Sequence, residues 1–385
     1  MRKKIAILGS TGSIGKYLID IISKDKKNFD IILLTANKNY NTLLKQAKKF
    51  KVKNIIISDK DKYLKLKNKK NKINIFNNYD NLNKIFSTKA DYIMSAISGI
   101  NGLEPTFKSI KHTKKIAIAN KESIICAWDI LQKELKKNKT KFVPVDSEHF
   151  SIWSVLTRSN KNNIDKIFIT ASGGPFYKLP LSRFSKIRIK DAIKHPNWTM
   201  GKKISVDSAT MMNKVFEIIE AKNIFNLPIN KLKILVHQKS YLHAIVKFKN
   251  GLSHLVIHDT DMSIPIFNSL HDNKVYFRNQ NNLNLNKLNH LNLEKPNLKK
   301  FPLIKVLKKL PDNSSLYETI LVSTNDTLVD LFLEKKIHFQ SISKIFFSII
   351  NDKKFYKFKS IIPRNINDII NLKNIIQKEI NSRYI

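Results

Sequence analysis

The chain is poor in cysteine, in acidic residues and in long apolar runs. Its one cysteine, Cys126, excludes an intramolecular disulfide and any metal cluster built on several thiolates. Ala127 and Trp128 follow it in a largely apolar stretch, which reads as a buried structural thiol. Acids number 30 against 70 Lys plus Arg, a formal net charge of +40. No apolar stretch approaches the ~20 residues that a membrane-spanning helix needs. The first apolar run, Ile5–Leu8, is too short for a signal-peptide core and leads into glycine, not into a cleavage site. The expected compartment is the cytosol, with no membrane partner.

So large a positive excess is expected of nucleic-acid-binding proteins, where it gathers on one face. Here the excess is nearly all lysine and travels with asparagine and isoleucine. It is spread along the chain, as at 65–70 and 133–141, with no Arg-rich helix and no zinc-ligand spacing. AT-rich codon usage produces the same bias, so no nucleic-acid partner is expected. A positive field would still attract an anionic substrate and cofactor.

A length of 385 residues exceeds one ordinary core, and a hydrophobic fraction of 42% is enough to fill two or three. Residues 1–145 read as alternating strands and helices: strand Ile5–Leu8, helix Tyr17–Ser23, strand Phe29–Leu34, helix Tyr40–Phe50, then strands Lys53–Ile57, Tyr92–Ile97 and Lys115–Ala119. Such short, continuous apolar strands predict a Rossmann-like, doubly wound parallel sheet in an α/β protein. Residues 146–270 are mixed α+β and carry most polar motifs. Their expected strands are Ile164–Thr170, Leu232–His237, Ala244–Phe248 and Leu252–His258, with a helix at Met211–Lys222. Residues 271–300, rich in Asn, Leu and Lys, read as a connecting arm. The apolar spacing of 301–385 predicts a helical C-terminal domain.

Gly9-Ser10-Thr11-Gly12-Ser13-Ile14-Gly15 follows the first strand and opens the first helix. Small residues there let backbone approach a pyrophosphate, whose charge the helix N–H groups receive. The alternative is a tight turn without a ligand. An NAD enzyme places an acid at the end of its second strand. This chain has Leu34-Thr35-Ala36-Asn37-Lys38-Asn39 instead. Lys38 either pairs with the 2′-phosphate of NADP or is one more surface lysine.

In Val145-Asp146-Ser147-Glu148-His149, extended backbone would turn Asp146 and Glu148 to one side. Two such carboxylates repel unless a cation lies between them, and oxygen ligands alone suit Mg²⁺ or Mn²⁺. Solvated surface acids are the other reading. Ser205–Glu217 offers a third acid: on a helix, Asn213 and Lys214 stand four and three residues before Glu217, so all three can share a face. Three further segments are unlike packing sequence. Ala119-Asn120-Lys121-Glu122-Ser123 ends a strand. Ser172-Gly173-Gly174-Pro175-Phe176 is fit to cradle a phosphate. His195-Pro196-Asn197-Trp198-Thr199-Met200-Gly201 reads as a loop in which Trp198 is either a lid or a core aromatic.

In order, the motifs GSTGSIG, ANKES, VDSEH, SGGPF, HPNWTMG and KISVDSATMMNK resemble those of the 1-deoxy-D-xylulose 5-phosphate reductoisomerase family, closely over about 1–270 and loosely beyond. The resemblance implies NADPH contacts at Thr11, Gly12, Ser13, Ile14, Asn37, Lys38, Asn39, Asn120, Glu122 and Gly201. It implies Mg²⁺ or Mn²⁺ ligands at Asp146, Glu148 and Glu217. It implies a sugar-phosphate substrate held by Lys121, Ser147, Glu148, Ser172, His195, Ser208, Asn213, Lys214 and Glu217, with Lys121, Glu148 and His195 as catalytic candidates. It further implies a homodimer, and a loop at His195–Gly201 that closes over the substrate. Asn37, Val215, Gln238, Ser263 and Asp326 depart from the family pattern, and none of them removes an expected ligand.

The reaction so implied rearranges 1-deoxy-D-xylulose 5-phosphate and reduces the product with NADPH to 2-C-methyl-D-erythritol 4-phosphate, a step toward isoprenoid precursors. A plain NADP-dependent dehydrogenase of a small phosphorylated aldehyde or alcohol is the enzymatic rival. A basic nucleic-acid-binding protein on a nucleotide fold is the rival of another class.

Overall fold

A computed structural model describes residues 2–67, 73–157, 159–271 and 282–385. The chain forms two compact units. One comprises Met1–Ser123, Asp129–Asp146 and Met262–Arg278, the other Ile124–Trp128, Ser147–Asp261 and Asn279–Ile385.

The first unit is built on a seven-stranded sheet. Its strands are β1 (Lys3–Leu8), β2 (Phe29–Ala36), β3 (Asn54–Ile57), β4 (Asn74–Phe76), β5 (Tyr92–Ser95), β6 (Lys115–Ile118) and β7 (Lys141–Pro144). Their order is β4-β3-β2-β1-β5-β6-β7 and every pairing is parallel. The chain winds outward from β1 in one direction, then returns and winds from β5 in the other. Beyond the carboxyl ends of β1 and β5 lies the crevice where such sheets bind ligands. The inner strands carry short apolar runs because parallel strands are covered on both faces; Ile5, Ile7, Leu34, Ile55 and Met94 are buried in one core. The helix Ser263–His271 returns to this unit from far along the sequence. Its Ile266 and Leu270 join the core, and its Ser269 carbonyl accepts from Lys115 Nζ at 2.8 Å. The expected helix Tyr40–Phe50 is present with those bounds. Strand β4 was not foreseen, since its three residues lie in a lysine- and asparagine-rich stretch and are partly exposed.

The second unit holds a four-stranded mixed sheet of β8 (Ile164–Ala171), β9 (Leu232–Val236), β10 (Leu242–Phe248) and β11 (Ser253–Ile257), ordered β11-β10-β8-β9. β10 runs antiparallel to β8 and β11, and β9 runs parallel to β8. The helix Met212–Phe225 is buried on nearly all sides, including Lys214, Glu217, Glu220 and Lys222. Charge so deep must be paired, because an unpaired buried charge costs several kcal/mol. The C-terminal part is helical: Leu316–Leu333 packs against both Phe339–Ile350 and Ile366–Tyr384. It starts from a capping box in which Glu318 accepts from the Ser315 N–H. Of the arm expected at 271–300, residues 272–281 lie outside the described residues. The remainder carries the short helix Leu285–Asn289 and pairs Glu294 with Val236. Among the described residues no helix is long and apolar enough to cross a membrane.

Candidate active site

In the first unit the glycine turn leads from β1 into the helix Ser13–Lys24. Gly12 occupies the N-cap position and offers no side-chain cap. The first-turn N–H groups, at the positive end of the helix, are thus left for an outside acceptor. Gly15 is glycine for want of room: a Cβ there would lie 2.4 Å from the Gly9 carbonyl oxygen. The helix therefore packs tightly against the turn that precedes it. Thr11, Gly12, Ser13 and Ile14 line the accessible part of this turn. Asn37, Lys38 and Asn39, at the end of β2, are exposed, and no acid stands among them. The side chain of Asn39 caps the next helix, accepting from the Thr42 N–H at 3.2 Å.

Asn120 is buried at the end of β6, and its amide is occupied by the fold. Its Nδ2 donates to the carbonyls of Ile97 at 2.5 Å and Gly99 at 2.9 Å and to Glu122 Oε2 at 3.1 Å, and its Oδ1 accepts from the Ser123 N–H at 2.8 Å. It thereby fixes the loop after β5 against the start of the helix Lys121–Lys137. Lys121 Nζ lies 3.1 Å from Asp146 Oδ2, both side chains being largely buried.

The second unit holds the other charged groups. Extended backbone through Asp146–Glu148 is not what forms: β7 ends at Pro144, and Ser147 begins the helix Ser147–Leu156. Glu148 therefore stands in a first helical turn, where N–H groups favour a carboxylate. Lys214 Nζ reaches Glu148 Oε1 at 2.6 Å and Glu217 Oε2 at 2.5 Å. Asn213 Nδ2 donates to Glu217 Oε1, and Ser147 Oγ donates to Glu148 Oε2. The helix expected at Met211–Lys222 thus does place Asn213, Lys214 and Glu217 on one face. Lys214 thus lies between two carboxylates, whose hard oxygen atoms are the donor chemistry suited to Mg²⁺ or Mn²⁺.

His195 and Ser172 form a second polar pair in this unit. His195 Nδ1 accepts from the backbone N–H groups of Asn197 at 3.1 Å and Trp198 at 3.0 Å. Backbone amides only donate, so the ring hydrogen is on Nε2, which donates to Ser172 Oγ at 3.0 Å. The same oxygen accepts from the Gly174 N–H at 3.1 Å, and its own hydrogen is therefore free to turn toward an anion. Burial first, and then the Lys214 ammonium, push His195 down to about 4, so the ring stays neutral. Gly174, at φ +67°, lets the loop lie against Ser208: a Cβ there would be 2.6 Å from the Ser208 carbonyl oxygen. Gly201 is the exposed N-cap of the helix Lys202–Ala209.

Several contacts of this unit go beyond the sequence reading, which gave Trp198 as a lid or a core aromatic. Asn197 ties the loop to the following turn, its Nδ2 donating to Gln238 O at 2.6 Å and Ser240 Oγ at 2.9 Å. Trp198 meets the ring of His243 edge-on at 6.1 Å, and His243 stacks on His258 at 3.6 Å. His149 Nε2 lies 2.9 Å from the Glu217 carbonyl oxygen and its Nδ1 3.2 Å from Glu220 Oε2, with both side chains fully buried. Lys203 bridges Asp207 at 3.1 Å and Asp326 at 3.0 Å. The one available signal was charge on an otherwise apolar helix at Glu217 and Glu220; the histidine stack has no counterpart in sequence spacing.

A glycine turn on a parallel sheet, with buried acid–lysine pairs elsewhere in the chain, defines the class: a dinucleotide-binding α/β enzyme. Family profiles described as 1-deoxy-D-xylulose 5-phosphate reductoisomerase and its C-terminal domains match residues 5–128, 142–225 and 257–379. The chain is 59% identical to the 1-deoxy-D-xylulose 5-phosphate reductoisomerase of Pelagibacter ubique over 99% of both chains. It is 36% identical to that of a Sulfurihydrogenibium species over 98% of this chain and 99% of the other. A solved DOX-P reductoisomerase in complex with NADPH, fosmidomycin and magnesium superposes with a TM-score of 0.92 at 30% identity, covering 99% of this chain and 98% of that one. The Zymomonas mobilis enzyme in complex with NADPH gives a TM-score of 0.86 at 31% identity over 99% of both chains. The chain belongs to the 1-deoxy-D-xylulose 5-phosphate reductoisomerase family.

Proposed function

We propose that this protein converts 1-deoxy-D-xylulose 5-phosphate to 2-C-methyl-D-erythritol 4-phosphate with NADPH and Mg²⁺ or Mn²⁺. The observation that carries the reading is Lys214 held between Glu148 and Glu217, in the unit that also presents the Ser172–His195 donor pair. A plain dehydrogenase of a phosphorylated aldehyde needs the donor pair but no cluster of buried carboxylates.

Thr11, Gly12, Ser13 and Ile14 receive the cofactor pyrophosphate, Lys38 its 2′-phosphate, and Asn37, Asn39, Asn120, Glu122 and Gly201 complete its surroundings. Asp146, Glu148 and Glu217 are the metal ligands. A divalent cation held by them supplies Lewis-acid polarisation of the substrate's carbonyl and hydroxyl oxygens, and the dinucleotide supplies the hydride. The chain's own side chains bind and orient. Ser172, Ser208, Asn213 and Lys214 take the substrate phosphate, with His195 as a neutral donor behind Ser172. Lys121, Ser147, Glu148 and Glu217 face the reacting end. The loop His195–Gly201, with Trp198 and its Asn197 anchor, closes to exclude water. The protein works as a cytoplasmic homodimer; the exposed Leu255 in the sheet-edge strand β11, with exposed Leu252 just before it, supports pairing with a second copy. The assay is NADPH oxidation by purified protein with 1-deoxy-D-xylulose 5-phosphate and Mg²⁺. Turnover yielding 2-C-methyl-D-erythritol 4-phosphate is the expected result. Turnover with a simple phosphorylated aldehyde, and none with this substrate, would establish the plain dehydrogenase.

A further inference from the structure

Ser10, inside the glycine turn, is fully buried. Its Oγ donates to Gln46 Oε1 at 2.8 Å, and Gln46 Nε2 donates to the Ser10 carbonyl at 3.0 Å. One amide therefore grips both the side chain and the backbone of a single turn residue. The strand beneath completes the clamp. The Ser10 N–H donates to the Thr35 carbonyl at 2.9 Å, and the Gly9 N–H to Thr35 Oγ1 at 2.9 Å. Thr35 Oγ1 also accepts from the buried Tyr79 hydroxyl at 3.1 Å.

Thr35 and Gln46 flank the segment Asn37–Asn39. Thr35 lies in β2 just before it, and Gln46 lies in the helix Tyr40–Phe50 that Asn39 caps just after it. The pyrophosphate turn and the 2′-phosphate segment are thus tied to each other from both ends, by neutral hydrogen bonds in the interior. We propose that Gln46 is a positioning residue that sets the register between these two anion-binding segments and so raises the preference for NADPH over NADH. The inference rests on the cofactor reading above, with Lys38 at the 2′-phosphate.

The physical argument concerns the second contact. NADH offers only its pyrophosphate as an anionic point, whereas NADPH is held at two, the second being its 2′-phosphate at Lys38. The second point contributes fully only when the first has placed it, because that contact is then intramolecular. A loosened register weakens both nucleotides somewhat and NADPH much more.

The test is the Kd for NADPH and for NADH, measured by nucleotide fluorescence on the intact chain. Gln46→Met keeps the side chain's bulk and removes its amide. The expected result is a Kd for NADPH raised about tenfold, as for loss of a buried hydrogen-bonding partner, and a Kd for NADH raised about threefold or less. Ser10→Ala, a smaller change, is expected to shift the ratio of the two constants in the same direction, and the double variant to add little. Equal weakening of both nucleotides, or none, in variants that melt as the parent does would overturn the proposal. Lys38→Ala separates the two readings. If it leaves the ratio unchanged, the 2′-phosphate assignment fails, whatever Gln46 does. If it lowers the preference for NADPH and the Gln46 variants do not, the register proposal alone fails.

Discussion

In the first unit the groups about the glycine turn are neutral: open helix N–H donors, with Ser10, Thr35 and Gln46 bonded behind them. In the second unit the groups about Lys214 are ionic, with two carboxylates on one ammonium and every side chain largely buried. The difference shows in how each is specified. A turn that binds through backbone needs small residues and a rigid support, and it tolerates many side chains at its surface. A cluster that binds through buried charge depends on every member, because removing one partner of a buried pair costs about 3–5 kcal/mol. The first arrangement is therefore expected to degrade gradually on mutation, and the second abruptly.

The largest effect should come from an acid. Asp146→Asn should abolish turnover while leaving NADPH binding, read by cofactor fluorescence, within about twofold of the parent, since the glycine turn works through neutral backbone groups. If both fell together, the role of Asp146 would not be separable from cofactor binding. Next is His195→Ala, which should raise KM and lower kcat together, since it removes the donor behind Ser172 and the acceptor that orders the Asn197–Trp198 backbone. Steady-state kinetics decide it: unchanged values of both parameters would remove His195 from the mechanism. Lys38→Ala should cost less, lowering the NADPH-over-NADH preference by about tenfold, as for one charge-assisted hydrogen bond. An unchanged ratio of the two kcat/KM values would count against it.

The smallest effect concerns acid stability. The folded His195 is held at about 4, below its ordinary value of 6.5, so folding opposes its protonation. Its contribution to stability is fully present above about pH 6.5 and is lost as the pH falls toward 4, with a slope of at most about 1.4 kcal/mol per pH unit. Thermal melts of the parent should fall more steeply across that window than those of His195→Gln. Parallel curves would show that the ring is not held neutral by the fold.

The sequence made the parallel sheet plain because buried parallel strands are apolar without interruption, as in Ile5–Leu8 and Ile55–Ile57. It showed the helix carrying Asn213, Lys214 and Glu217 because three- and four-residue spacing fixes a helical face. It put Asp146 and Glu148 on one side only on condition of extended backbone, and that condition is not met: helix formation from Ser147 depends on tertiary support that no local pattern records. Strand β4 was hidden because its partly exposed residues show no alternation. The His149–Glu220 and His243–His258 contacts join segments 71 and 15 residues apart, and only folding brings such groups together. In the motif ANKES the sequence did not show that the Asn120 amide also holds the loop after β5.

The most direct test of the account removes the cation and follows two readouts on the same sample. With EDTA present, conversion of 1-deoxy-D-xylulose 5-phosphate should stop and NADPH should still titrate with its normal Kd. Added Mg²⁺ or Mn²⁺ should restore conversion. Undiminished turnover in EDTA would contradict the assignment of Asp146, Glu148 and Glu217 as metal ligands, and with it the mechanism proposed for this chain.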